Sequence, residues 1–88
     1  MFTNVGKRIR ALRKGLGMTQ VEFAAKVGVA QYHLSHWETG KLIPKAESVA
    51  RISFHHHVPI HWLLGIKPVE PTPEVQAVMD SFDPNADP

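Results

Sequence analysis

Between Thr19 and Gly40 the chain reads TQVEFAAKVGVAQYHLSHWETG, and this stretch limits the possible fold more than any other. Thr19 and Glu22 form a T-x-x-E pair, which suits a capping box at a helix start. Phe23, Ala24 and Val27 then recur at helical spacing, predicting a helix over about 19–27. Gly28 stands where the chain must reverse, and glycine accepts the positive φ that ends many helices. A second helix is predicted over about 30–37. Its Leu34 and Trp37 are three apart and share an inner face. At about 100° per residue, Tyr32, Ser35 and His36 fall on the opposite face, flanked by Gln31 and His33. That outer face is polar, aromatic and uncharged.

The flanking segments are also helical in pattern. Phe2, Val5, Ile9, Leu12 and Leu16 step at three or four, one stripe of an amphipathic helix over about 3–15. Thr3 or Asn4 can cap its start. A fourth helix is expected from near Lys45, just after Pro44, with Ala46, Val49, Ala50 and Ile52 on its apolar side. Lys67-Pro68-Val69-Glu70-Pro71-Thr72-Pro73 is an extended, proline-rich connector. Val75, Val78, Met79 and Phe82 then form an i, i+3, i+4, i+7 stripe, and Pro73 suits a helix start. Asp83 to Pro88 are expected to be disordered.

With one residue added at each end, MTQVEFAAKVGVAQYHLSHWETGK resembles the helix-turn-helix of the Cro and phage-repressor type, also called the xenobiotic-response-element family. Met18, Thr19, Gln20, Phe23, Ala24, Gly28, Val29, Ala30, Gln31, Leu34, Ser35, Trp37, Glu38 and Gly40 stand in the family's slots, and the similarity covers residues 5 to about 65. Val58-Pro59-Ile60-His61-Trp62-Leu63-Leu64-Gly65 resembles the family's last short helix, which makes Trp62 and Leu63 core residues and a possible subunit contact. The resemblance implies an all-α fold: a compact five-helix repressor-like domain over 1–66, followed by a 67–88 extension with room for a sixth helix at about 73–82. Three positions depart from the pattern. Ala30 replaces the usual Ser or Thr and forgoes a cap worth about 1 kcal/mol. His56 stands where a leucine is expected, and Phe54 occupies a slot that is usually polar. Either a histidine enters the core edge or the helix end is rearranged.

The resemblance also implies a function and residue roles. It implies a sequence-specific double-stranded DNA-binding regulator, usually a repressor, whose homodimer sets two recognition helices in successive major grooves of a two-fold operator. Base contacts are then expected from Gln31, Tyr32, His36 and Ser35. Gln31 can bond adenine in two places, and Tyr32 can meet a thymine methyl. Phosphate contacts are expected from Thr19 and Gln20 at a helix start, from His33 on the flank, and from Lys41 and Lys45 in the Gly-x-x-x-Pro loop. An Arg late in the first helix pairs in the family with the Glu after the recognition helix; here these are Arg13 and Glu38.

Charge placement agrees with a polyanion partner. Residues 1–45 carry eight Lys and Arg against two Glu, whereas residues 46–88 carry two basic residues against six acids. The plainer reading is solvated helix faces with an acidic tail. At 88 residues there is room for one small domain, whose marginal core would profit from dimerisation. With no cysteine there is neither a disulfide framework nor a thiolate metal site. His55-His56-His57 with His61 invites a metal, but consecutive residues splay around a helix; a solvated, pH-sensitive helix end is the reading adopted, with no metal and no cofactor. No Ser/His/Asp arrangement, paired carboxylates or Gly-rich phosphate loop marks an enzyme. No signal peptide is visible and no apolar run nears the ~20 residues of a membrane span, so a cytoplasmic location is expected. The alternative function is an antitoxin or protein-interaction module on the same fold, with a protein partner at 73–82.

Overall fold

A computed structural model of the chain describes residues 4–86. Among these the chain is all helical: α1 Val5–Gly15, α2 Gln20–Val27, α3 Gln31–Thr39, α4 Ala46–His56, α5 Ile60–Leu64 and α6 Pro73–Ser81. The first five pack around one core of Ile9, Phe23, Ala24, Val27, Leu34, Trp37, Val49, Ile52 and Leu63. Each supplies a stripe too short to be stable alone. Short helices are marginal in water, so burial of those stripes against one another holds them.

The ends of α2 follow local chemistry. The Thr19 hydroxyl accepts from the Glu22 N–H at 3.1 Å, and the Glu22 carboxylate accepts from the Thr19 N–H at 2.8 Å. This box satisfies two backbone donors that the first turn leaves free. It also holds the Glu22 carboxyl below the usual carboxylate range, through the Thr19 backbone and hydroxyl hydrogen bonds. At the other end Gly28 takes φ 83°, and the N–H groups of Gly28 and Val29 both donate to the Ala24 carbonyl, at 2.9 and 3.0 Å. Gly6 has a different duty. A Cβ there would collide with the Trp37 carbonyl, so α1 and α3 approach as closely as they do only because position 6 has no side chain.

Several details differ from the sequence expectations. Asn4 takes the first cap position of α1 but in the left-handed region, without a side-chain hydrogen bond; Phe2 and Thr3 lie outside the described residues. Leu16 is half exposed because α1 ends at Gly15, and the stripe loses its register at the turn. The start of α4 is as expected, at Ala46 behind the Lys45 cap, with Pro44 buried just before it. Ala46 and Ala50 are exposed, leaving Val49 and Ile52 as the buried side of α4. Trp62 is exposed beside buried Leu63; the Arg8 guanidinium lies 5.4 Å from its ring centre and donates to its carbonyl at 3.1 Å. Arg8 therefore ties α1 to α5 across the surface, where the indole was expected to enter the core.

The end of α4 resolves the histidine question. His56 is buried, stacked on Phe23 with ring centres 4.0 Å apart and planes within 7°. It fills the leucine slot as a neutral aromatic ring, contrary to the expectation of a solvated helix end. Neither ring nitrogen has a hydrogen-bond partner. Burial is the main cause that pushes its pKa down; the charge of Lys26 adds to this, as do His55 and His57, while proximity to the Phe23 backbone offsets a part without reaching hydrogen-bond geometry. His57 ends α4 in the left-handed region, φ 55°, and Phe54 points to solvent.

Beyond α5 the connector leads to α6, whose Thr72 hydroxyl accepts from the Val75 N–H at 3.3 Å, with Pro73 in the first helical position. Asp83 to Ala86, expected to be disordered, form a turn: the Asp83 carboxylate accepts from the Asn85 N–H at 2.9 Å. Asp87 and Pro88 lie outside the described residues.

Candidate nucleic-acid interface

The turn at Gly28 sets α3 across α2, and Leu34 and Trp37 bury its inner face. What remains outward is the row the spacing selects. Gln31, Tyr32 and His33 are exposed, while Ser35 and His36 are half buried. Tyr32 is 63% exposed, and its ring lies 4.2 Å from that of His36 one turn on. It also meets His33 edge to face at 5.6 Å. His33 in turn lies parallel to the buried Trp37 ring at 6.3 Å. This patch of three rings is stiffened by its own contacts. Ala30 caps α3 through its backbone alone, so the first turn leaves free N–H groups at an exposed end.

An ion pair joins α1 to α3, and a hydrogen bond from Gln20 brings in α2. Arg13 Nε donates to Glu38 Oε2 at 2.7 Å, and Arg13 Nη2 donates to Glu38 Oε1 at 2.8 Å. Nη1 of the same guanidinium donates to the Met18 carbonyl at 3.0 Å, fixing the α1–α2 turn. Gln20 Nε2 donates to Glu38 Oε1 at 3.2 Å, and Gln20 Oε1 accepts from Gln31 Nε2 at 3.4 Å. The outermost residue of α3 is thus linked through Gln20 to the buried pair. Burial alone would raise the Glu38 carboxyl, but hydrogen bonds from Arg13 and Gln20, with the charges of Arg13 and Arg10, hold it below the usual range. The hydrogen bond to Glu38 raises the Arg13 guanidinium in turn.

The remaining sequence-derived residues surround this centre. Thr19 is exposed and engaged in its capping box, and Gln20 is half buried in the amide link. Lys41 and Lys45 are exposed on either side of the loop from α3 to α4. Arg10 was not singled out from the sequence. It lines a cleft of about 170 Å³ with Arg13, Gln20, Glu38 and Thr39, adding a cation beside Gln20. Its spacing three before Arg13 was the available signal, since i and i+3 share a helix face.

A two-helix unit joined by a glycine turn, with its second helix polar outward and pinned by a buried Arg–Glu pair, defines a helix-turn-helix domain. A helix-turn-helix family model matches residues 9–63, and the chain belongs to that family, of the Cro and phage-repressor type. It is 31% identical over 62 residues to the HTH-type transcriptional regulator ImmR of Bacillus subtilis, a match covering 70% of this chain and 49% of that protein. The chain thus spans about half the length of the curated relative it matches. The P22 c2 repressor, solved in complex with a synthetic operator, superposes with a TM-score of 0.63 at 33% identity, covering 68% of this chain and 91% of that one. The N-terminal DNA-binding domain of SinR from Bacillus subtilis gives a TM-score of 0.65 at 34% identity, covering 69% and 90%.

Proposed function

We propose that this protein is a sequence-specific double-stranded DNA-binding transcriptional regulator, acting as a repressor and binding a two-fold operator as a homodimer. The observation that carries the reading is the outward row of exposed Gln31 and Tyr32 with half-buried His36, on a helix whose other side is locked into the core. In the major groove Gln31 pairs with an adenine edge, Tyr32 covers a thymine methyl, and His36 and Ser35 reach neighbouring base edges. Thr19, Gln20, His33, Lys41 and Lys45 meet phosphates, and Arg10 joins them. These contacts set register and affinity without choosing sequence. The likeness to a repressor solved on operator DNA supports the partner.

No described helix is long and apolar enough to cross a membrane. A cytoplasmic location, with access to chromosomal DNA, follows from the regulator reading. The exposed stripe of α6 favours one addition, a protein contact through residues 73–82.

Selection of duplexes from a random pool, at two salt concentrations, tests the function. Enrichment of one sequence with two-fold symmetry is expected, with binding that weakens steeply as salt rises. Recovery of unrelated sequences at both concentrations would refute sequence-specific binding.

A further inference from the structure

The apolar face of α6 and an apolar groove in the five-helix body are both left open. Every residue of α6 is exposed, including Val75, Val78, Met79 and Phe82, which share one face. The groove, about 480 Å³, lies between the start of α1, the loop from α3 to α4, and α5. Val5, Trp37, Leu42, Ile43, Ile60 and Leu64 give it an apolar lining. Ile43 is 85% exposed on its rim, and Leu42 and Ile60, also exposed, extend the apolar surface beside it.

We propose that α6 of one copy docks in this groove of a second copy, and the reverse, so that two chains exchange arms. The proposal rests on the reading of the protein as a homodimer and names the surfaces that join it. Three observations select a second copy as occupant. The first is charge. The arm and its flanks carry Glu70, Glu74, Asp80 and Asp83 against one base, Lys67, whereas Lys7 lines the groove, Lys41 and Lys45 flank its loop, and Glu38 in the lining is paired with Arg13. An acidic amphipathic helix therefore meets a basic rim around an apolar floor.

The second is the connector. Ile66 to Thr72 contains Pro68 and Pro71, and Pro73 follows. Proline-rich chain is extended and semi-rigid at about 3.1 Å per residue, so these residues span about 22 Å. Leu64, two residues before the connector, already lines the groove. A stiff strut that starts at the groove carries its helix away from it and opposes a return to the same groove. The molecule is accordingly drawn out to 43 Å along one axis against 27 and 23 Å on the others. The third is area. A single docked nine-residue helix is a small contact beside the roughly 1,200 Å² at the low end of specific interfaces, and reciprocal exchange makes two such contacts.

Sedimentation equilibrium on the full chain tests the exchange. The wild type is expected to be a dimer. The double variant Val78→Asp with Met79→Asp on the arm, and Ile43→Asp on the rim, are each expected to raise the dimer dissociation constant at least tenfold. All three positions are exposed, so circular dichroism should show unchanged helix content. Lys7→Glu should weaken the dimer in low salt and less in high salt. A monomeric wild type, including one whose arm has folded into its own groove, overturns the proposal, as does a dimer that survives both the arm and the rim substitutions. Binding to a duplex carrying a single half-site separates this from the DNA reading. Monomeric variants that still bind a half-site support both. A dimer that responds to these substitutions but selects no DNA sequence supports the exchange and removes the regulator.

Discussion

Replacing His56 by leucine should stabilise the protein, an unusual outcome for a buried position. The ring packs well on Phe23, at 4.0 Å and nearly parallel, but its two nitrogens have no partner. A buried polar group left unsatisfied costs about 1–3 kcal/mol. Leucine keeps much of the apolar contact and removes both nitrogens, so a gain of about 1–3 kcal/mol at pH 7 is expected. In a domain of this size each kcal/mol moves Tm by roughly 4–8 °C. The pH dependence gives a second, independent reading. Burial lowers the pKa of His56 in the folded state, whereas the unfolded chain titrates near 6.5. Above that value both states are neutral and the residue adds no pH dependence. As pH falls below about 6.5 the unfolded state takes up the proton first, so stability drops until the folded pKa is passed. Thermal melts from pH 8 to pH 5, on wild type and His56→Leu, should therefore diverge as pH falls. A leucine variant less stable than wild type at pH 7, with the same loss on acidification, would refute the account of this site.

Other consequences can be measured on the same protein. Arg13→Ala leaves Glu38 buried without its partner and should cost roughly 3–5 kcal/mol in urea unfolding, because an unpaired buried charge is far more costly than the pair is favourable. Glu38 is held below the usual carboxylate range in the fold, so the stability it contributes is present at neutral pH and is lost as pH falls through the acid range below about 4.5; Glu38→Gln should flatten that part of the profile. Gly6→Ala drives a methyl into the Trp37 carbonyl and should destabilise by about 1–3 kcal/mol, with the α1–α3 contact opening first in amide exchange. Lys41→Ala should weaken binding to all DNA sequences alike and lower the slope of log affinity against log salt by about one.

The parts of the fold that were legible in the sequence are those written in local chemistry. Thr19 and Glu22 cap each other within one turn, Gly28 takes the positive φ its position demanded, and Leu34 and Trp37 bury because three residues return to the same face. Pro73 opens α6 for the same reason, since its missing N–H is not needed there. The Arg13–Glu38 contact spans 25 residues and no periodicity could place it; only the likeness to a family did. What escaped the sequence depends on neighbours. Whether Trp62 or Leu63 enters the core is decided by where α1 crosses α5, and Arg8 takes the indole at the surface. His56 reads as polar until Phe23 covers it. Gly6 carries no signal at all, because its role is to let another helix come close. The link from Glu38 through Gln20 to Gln31 is likewise a product of packing, and it joins a residue read as structural to one read as a base contact.

The direct test of the central claim is Gln31→Ala compared with wild type on the selected duplex and on each of its single-base-pair variants. If α3 reads base edges, the loss is confined to one base pair per half-site, about 1–3 kcal/mol, and discrimination there disappears. An equal loss on every duplex would mean that Gln31 touches only the backbone, and the outward row of α3 would not be what recognises sequence.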